Sequence, residues 1–258
     1  MPSAEETLMG KRLMPTNLNS AQLEQMGREF TQRAVFSAGC NHLQTVQAIR
    51  DGSRKILNGE WLNASAREFL QAVLKFYNYE APEDAEGTIR DMTTPGRQNL
   101  IFDQTVAQAR NFAWKENLLA DDRPHAWQLV RVGTRKEPRD WDTRWKDAYA
   151  QLSPAERLGV DAEGKRALVS SRIWQLLSRW GTGYPPFDFN SGMGVKSVSA
   201  DGLQDAASGR EDFNRAEASM KGVDQDLRDW ISRNLDVQVS IRGDKAIMEG
   251  GRAWLVCK

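Results

Sequence analysis

Hydrophobic positions in the early part of the chain recur every three to four residues, the spacing that places side chains on one helix face. This pattern predicts helices over about 21–36, 43–57 and 65–77. Ser20 is expected to cap the first helix, and the second is expected to be broken or capped near 51–52. Amphipathic helices in this order predict an antiparallel bundle.

A longer helix is predicted over 97–119, directly after Pro95 and Gly96. Its apolar side chains form one stripe, made by Phe102, Val106, Ala109 and Ala113 with Ile101 and Phe112 beside it. Acidic residues and a proline at 121–124 end this helix. The alternation over 126–133 is typical of a strand, so the chain changes from helix to sheet at this point.

The next part of the chain predicts shorter elements. Apolar spacing predicts helices over 142–152 and 171–180. The stretch 181–194 is rich in glycine and contains two adjacent prolines, so we expect an ordered irregular loop there. This loop should lead into a short strand at 195–198.

The C-terminal part predicts a polar linker at about 200–214, a helix over 223–234, and a hairpin formed by 237–241 and 246–248. The whole pattern predicts an α+β fold. We expect a mainly helical N-terminal half, a mixed region with a few short strands, and a small C-terminal extension of helix and hairpin.

Composition excludes several classes of protein. The chain has 258 residues, of which 40% are hydrophobic, enough to bury one core or one core with a smaller lobe without metal or disulfides. Its 35 basic and 35 acidic residues balance, so no overall field attracts the chain to nucleic acid or to an anionic membrane. Any basic surface must therefore be local.

The two cysteines, Cys40 and Cys257, lie far apart and outside any metal-ligand spacing. We expect free thiols in a reducing cytosol and no structural zinc. The first twenty residues contain no long apolar run, so neither a secretory signal nor a membrane anchor is predicted.

The sequence offers few groups for catalysis. His42 and His125 are the only histidines, and the nucleophile, zinc-protease, phosphate-loop and dinucleotide motifs are absent from the sequence. Each histidine is expected to be structural. Asp188 and Asp201 lie near the glycine-rich loop but have no partner of known geometry. No catalytic residue, cofactor or metal is therefore expected, and the chain is not predicted to be an enzyme.

The segment 131–146 holds six basic residues against three acidic ones. Two interpretations remain open: contact with a partner or with phosphate, or local salt bridges with Trp141 and Trp145 packed inward. The candidate contact residues are Arg131, Arg135, Lys136, Arg139 and Arg144.

Three aromatic residues in the irregular loop, Tyr184, Phe187 and Phe189, also allow two interpretations. They could seal the end of the core, or they could form an exposed contact for a neighbouring subunit. Both interpretations depend on where the loop places the rings.

Five segments, taken in order, resemble the minor head proteins of tailed phages typified by the F protein of phage Mu. They are FSAGCNHLQTVQAI (36–49), GEWLNASAREFLQAVLKFYNY (59–79), RQNLIFDQTVAQAR (97–110), RKEPRDW (135–141) and RWGTGYPPFDFNSGMGV (179–195). The resemblance covers about 20–200 and implies a head domain there, between a flexible segment at 1–19 and a linker with a small extension at 201–258. Many relatives continue after YPP with a tryptophan and a cysteine-containing stretch. This chain instead has Phe187, Phe189, Asn190, Ser191 and Gly192, which is similar to a cysteine-free branch.

The resemblance implies a virion protein of few copies, present in the host cytoplasm during assembly, that contacts the portal protein, the major capsid protein or both. It implies a role in head morphogenesis and an influence on DNA packaging or ejection, with no membrane involved. It supplies no catalytic residues. Two alternatives stay open: an effector enzyme delivered with the particle, and an internal head protein that binds the packaged genome through the basic segment.

Overall fold

The computed structural model describes residues 2–25, 32–82, 84–134 and 139–204, and three short strands beyond them. The helices found in these residues are α1 (Ala4–Met9), α2 (Ser20–Gln25), α3 (Leu43–Leu57), α4 (Asn63–Phe76), α5 (Pro95–Leu119), α6 (Trp141–Ala150), α7 (Pro154–Arg157) and α8 (Ile173–Leu177). The strands are β1 (Arg12–Leu13), β2 (Ala34–Val35), β3 (Ala126–Arg131), β4 (Val160–Asp161), β5 (Arg166–Leu168), β6 (Met193–Val198), β7 (Val239–Ser240), β8 (Ile247–Glu249) and β9 (Arg252–Trp254). The predicted α+β class is confirmed.

The described chain up to residue 204 divides into two compact units. The boundary falls inside α5, between Ala109 and Arg110. We call residues 4–109 the helical unit and residues 110–204 the mixed unit. Each unit has its own buried hydrophobic cluster.

In the helical unit, α3, α4 and the first half of α5 bury their apolar stripes together. Val46, Ile49, Leu70 and Phe102 are among the fully buried side chains of this core. The helix bounds agree closely with the predicted 43–57, 65–77 and 97–119. The periodic spacing of apolar residues therefore predicted these helices correctly.

The predicted break in α3 near 51–52 is wrong, because the helix continues to Leu57. Gly52 is buried, and a Cβ atom placed there would lie 2.9 Å from Cε1 of Phe102. The glycine therefore allows the Phe102 ring to approach the backbone of α3. Close packing between helices, rather than a turn, explains this residue.

The segment 1–19, which was predicted to be flexible, contains a helix and a strand. Residues 4–9 form α1, and Leu8, Met14 and Leu18 are buried. The parallel pairing of β1 with β2 fixes the segment that follows α1. Apolar residues spaced too irregularly for one helix still pack here, because α1 contributes Leu8 and the loop after β1 contributes Met14 and Leu18.

The first predicted helix, over 21–36, is wrong at both ends. Its cap is formed by Asn19, whose Oδ1 accepts from the Gln22 backbone amide at 3.0 Å while Gln22 Oε1 accepts from the Asn19 amide at 3.0 Å. Residues 34–35 form β2, and the Val35 carbonyl accepts from the Met14 amide at 2.9 Å. Long-range backbone pairing overrides the local helical pattern there.

The mixed unit contains a four-stranded sheet in the order β4-β5-β3-β6, antiparallel throughout. The central strand β3 and the edge strand β6 were predicted, whereas the two-residue and three-residue strands β4 and β5 were not. Helices α6 and α8 are present but shorter than predicted. The largest side chains of the core are fully buried, and they include Trp127, Trp145, Trp174, Tyr184 and Phe187.

The C-terminal strands pair differently from the predicted hairpin. Strand β7 pairs in parallel with β9, and β8 pairs antiparallel with β9, so the predicted partners β7 and β8 are not neighbours. The antiparallel neighbours are instead β8 and β9, which are separated by two residues in sequence. The predicted helix at 223–234 and most of the predicted linker lie outside the described residues.

Gly52→Ala tests the packing of α3 on α5. Alanine should stabilise a helix interior by about 1 kcal/mol, but the clash with Phe102 should reverse the sign and lower the free energy of unfolding by about 1–2 kcal/mol. Urea unfolding followed by circular dichroism measures the difference.

Gly96→Ala is the matched control, since its Cβ would meet Ile89 Cδ1 at an ordinary 3.9 Å. The same Gly52→Ala change in a Phe102→Leu background should be neutral or stabilising, because the smaller side chain leaves room for the methyl group. Destabilisation of equal size in both backgrounds would contradict the packing explanation.

Cys40 should resist alkylation in the folded chain. Its thiol is buried, and desolvation raises the pKa of the thiol to about 11. In a Cys257→Ser background, native protein at pH 8 should react with iodoacetamide roughly 100-fold more slowly than protein in urea. Equal rates in the folded and unfolded protein would show that the thiol is accessible.

Candidate interaction site

The start of α6 places the predicted basic residues. Asp140 caps this helix: its Oδ1 accepts from the backbone amides of Asp142 at 3.1 Å and Thr143 at 2.9 Å. Its Oδ2 accepts from the Thr143 hydroxyl at 2.6 Å. The hydrogen bond from the Thr143 side chain is the largest cause of a lowered pKa of Asp140, which keeps this carboxylate ionised. The cap therefore fixes Arg139 just before the helix and Arg144 one turn inside it.

The glycine-rich loop 181–192 approaches the start of α6 in the same unit. Gly181 and Gly183 have φ values of 65° and 68°, which other residues rarely adopt. The buried Lys115 amine donates to the Gly183 carbonyl at 2.9 Å, and the Thr182 hydroxyl donates to the Tyr184 carbonyl at 3.2 Å. These contacts make the loop an ordered part of the fold, and they set the direction in which Asp188 leaves it.

Asp188 forms the centre of the site, which we call the arginine cluster: Asp188 with Arg139, Arg144 and Arg179. Its Oδ2 lies 3.3 Å from Nη1 of Arg139 and 3.0 Å from Nη1 of Arg144, and its Oδ1 lies 3.4 Å from Nη1 of Arg179. The Asp188 side chain is only 8% exposed, whereas the three arginines are 46%, 30% and 38% exposed. One buried carboxylate is thus surrounded by three partly exposed cations.

Backbone groups complete the arginine cluster. Arg139 Nη1 donates to the Phe189 carbonyl at 3.0 Å, and the Phe189 amide donates to Asp188 Oδ1 at 2.8 Å. The Arg179 amide donates to the Phe187 carbonyl at 2.8 Å. The Arg144 guanidinium also lies over the Trp141 ring, 4.7 Å from its centre. Charge and main-chain hydrogen bonds therefore hold α6, the segment after α8 and the glycine-rich loop together.

The arginine cluster contains more basic groups than acidic ones. Three guanidinium groups contact one carboxylate in this cluster. Burial of a carboxylate costs several kcal/mol unless partners replace its water, which explains why Asp188 has several. Parts of the three guanidinium groups remain exposed beside this carboxylate.

An open pocket of about 400 Å³ adjoins the arginine cluster and shares Arg139 with it. Its lining combines basic, acidic and apolar side chains: Arg131, Arg139, Lys165, Asp140, Asp142, Leu129, Trp141 and Met193. Lys165 pairs with Asp142 across this pocket. Among the described residues, Arg131 makes no ion pair.

The candidate basic residues have separate placements. Arg139 and Arg144 join the arginine cluster, Arg131 lies exposed at the end of β3, and Arg135 and Lys136 lie outside the described residues. Trp141 and Trp145 are buried, as the packing interpretation expects.

Sequence reasoning missed Arg179 and treated Asp188 as a scattered carboxylate. Charge counting within one segment could not pair residues that are 44 positions apart, as Arg144 and Asp188 are. The one local signal was the position of Arg179 at the start of the segment that contains YPP.

The aromatic residues of the loop pack against the core of the mixed unit. Tyr184 and Phe187 are fully buried, with Phe187 stacked on Trp174 at a ring distance of 5.9 Å. Phe189 is half-buried and meets Trp180 edge-on at 4.8 Å. Of the three candidate rings, only Phe189 is therefore partly accessible to a partner while the unit is folded.

The histidines make local contacts. The His42 ring lies 4.2 Å from the Tyr77 ring, with Nδ1 3.2 Å from the Thr45 hydroxyl. In the mixed unit, His125 Nε2 lies 3.0 Å from Asp121. The part of the chain that the structure describes contains no group of three His, Cys, Asp or Glu residues arranged to hold a metal ion. Its helices also include none with the length and apolar character to cross a membrane.

Comparison of the chain with protein families, with curated proteins and with solved structures finds no match. The assignment of function therefore depends on the residues and contacts of this chain.

Asp188→Asn should destabilise the protein. Loss of the buried carboxylate leaves three arginines facing one another, at a cost of about 2 kcal/mol after allowance for their partial exposure. Urea unfolding at low and high salt measures the loss, which should be smaller at high salt because ions screen the repulsion.

Asp201→Asn is the control, since Asp201 is exposed in the same unit and its hydrogen bonds use main-chain atoms. A salt-independent loss, or a loss no larger than that of Asp201→Asn, would contradict the role given to Asp188.

Proposed function

We propose that this chain is a structural and interaction protein of a tailed-phage head, acting in head morphogenesis near the portal. The portal protein, the major capsid protein or both are its proposed partners. The protein would be a component of the virion, made in the host cytoplasm during assembly. The order of the five resembling segments is the starting point of this proposal.

The main support for this proposal is a contact between two of the resembling segments. RKEPRDW (135–141) and RWGTGYPPFDFNSGMGV (179–195) meet through the contacts of Arg139 with Asp188 and with the Phe189 carbonyl. These groups are 49 and 50 positions apart in sequence. Two of the five segments thus meet at the buried Asp188 carboxylate, as expected if they belong to one head domain.

The helical unit offers a second contact of this kind. Arg97 begins RQNLIFDQTVAQAR, and its Nη2 donates to the Ser37 hydroxyl at 2.7 Å and to the Ala38 carbonyl at 3.1 Å. Both acceptors lie in FSAGCNHLQTVQAI. The resembling segments therefore supply fixed internal contacts in both units, a use that suits a structural protein.

The exposed parts of the arginine cluster suit an interaction surface. Arginine and aromatic side chains are enriched where proteins bind one another, and arginine can donate several hydrogen bonds in one plane. Arg139, the most exposed arginine of the cluster at 46%, lies beside the pocket with Trp141 in its wall. This surface is the proposed contact with the head.

Co-expression with the portal and major capsid proteins encoded beside it tests the proposed function. The wild-type chain should co-purify with portal or with assembled heads at a fixed ratio, measured by quantitative mass spectrometry. Arg139→Glu should lower that ratio at least tenfold while the chain stays folded, because it places a negative charge in the proposed contact.

Arg123→Glu is the matched control, since Arg123 is 82% exposed in the same unit and pairs only with the nearby Asp121 among the described residues. A soluble wild-type chain that associates with neither head protein would contradict the proposed function. Normal incorporation of Arg139→Glu would instead show that another surface makes the contact.

A further inference from the structure

The arginine cluster retains hydrogen-bond donors beyond those that Asp188 uses. Each guanidinium carries five N–H donors, yet the contacts of Arg139 and Arg144 with Asp188 use a single nitrogen, Nη1, of each. Both nitrogens lie within 3.3 Å of the same oxygen, so the two arginines already converge on one acceptor. A second carboxylate could bind beside Asp188 without a change in the backbone.

Asp188 also indicates which class of ligand the arginines can bind. It is a carboxylate of the chain itself, held by the same guanidinium groups that face solvent. A carboxylate from outside would meet the same planar donors in the same spacing. Asp188 then acts as an internal competitor for the positive charge of the cluster.

The pocket beside Arg139 distinguishes between two kinds of acidic partner. Asp140 and Asp142 line it, and the hydrogen bonds of the helix cap keep Asp140 ionised. These carboxylates repel any anion, and Asp142 is paired with Lys165, so the apolar part of the lining has to distinguish the two kinds of partner. Leu129 and Met193 form the apolar part of the lining. An aliphatic side chain of a peptide can pack against them, whereas the charged phosphodiester backbone of duplex DNA cannot.

We propose that the arginine cluster and its pocket bind an acidic segment of a protein partner. An apolar side chain of that segment enters the pocket against Leu129 and Met193, and flanking carboxylates bind Arg131 and Arg139. Asp188 opposes this binding by neutralising part of the charge. This inference rests on the proposed function, because a head protein is the expected source of the acidic segment.

Fluorescence anisotropy with the full chain tests the inference directly. The probe is a labelled peptide in which several glutamates flank one leucine, compared with a labelled duplex DNA. Arg131→Gln should weaken peptide binding about fivefold, and Arg139→Glu at least tenfold. Asp188→Asn should tighten peptide binding about fivefold although it destabilises the fold, because it removes the internal competitor.

The opposite signs of Asp188→Asn and Arg139→Glu separate binding from folding, since a damaged fold would weaken both. Arg123→Glu should leave the affinity unchanged. Tighter binding of DNA than of the peptide, lost in Arg139→Glu, would overturn the inference in favour of a genome contact. Peptide binding that all variants leave unchanged would overturn it as well.

The two proposals fail separately. Co-purification with heads without any peptide binding would overturn the acidic-segment inference and leave the proposed function intact. The reverse result is peptide binding with the predicted variant effects but no association with portal or capsid proteins. That result would support the inference about the surface and overturn the proposed head function.

Discussion

The need to neutralise one buried carboxylate organises the mixed unit. Asp188 is 8% exposed, and its charge requires partners that replace water. Those partners are Arg139, two residues before α6, Arg144 in the first turn of α6, and Arg179 in the segment after α8. Because the same contacts hold the glycine-rich loop, the position of Tyr184 and Phe187 in the core depends on them.

The tryptophan core makes the arginine cluster rigid. Trp174 stacks on Phe187, and the Trp145 indole donates to the Ala162 carbonyl at 3.0 Å, so the inner face of α6 has a fixed position. Arg139 and Arg144 lie at the start of this helix, and Nη1 of each contacts Oδ2 of Asp188. Donors that such contacts hold in place lose less entropy on binding than mobile ones, which is compatible with the proposed interaction surface.

Local periodicity explains how much of the fold could be predicted. Helices α3 and α5 and strand β3 have long, regular apolar patterns, and the sequence predicted each within two residues at either end. The two-residue strands β1 and β2 form only because distant segments pair, which no local pattern records. The buried glycine in α3 was misread for the same reason, since its partner Phe102 is 50 residues away.

The sequence predicted two of the four residues of the arginine cluster. The local excess of basic residues identified Arg139 and Arg144, but the carboxylate that organises them lies beyond the segment, and Arg179 belongs to a third part of the chain. Ion pairs across such separations depend on the fold rather than on spacing. The aromatic loop allowed two interpretations because burial, which separates Tyr184 and Phe187 from Phe189, follows from tertiary packing alone.

Oxidative footprinting of the protein in assembled heads tests whether the pocket beside Arg139 meets a partner. Met193 lines the pocket and is half-buried, whereas Met9, in the helical unit, is 38% exposed and serves as an internal reference. Met193 should oxidise readily in the isolated chain and be protected in heads, relative to Met9. Equal oxidation of Met193 in the isolated chain and in heads would contradict the claim that this surface meets a partner.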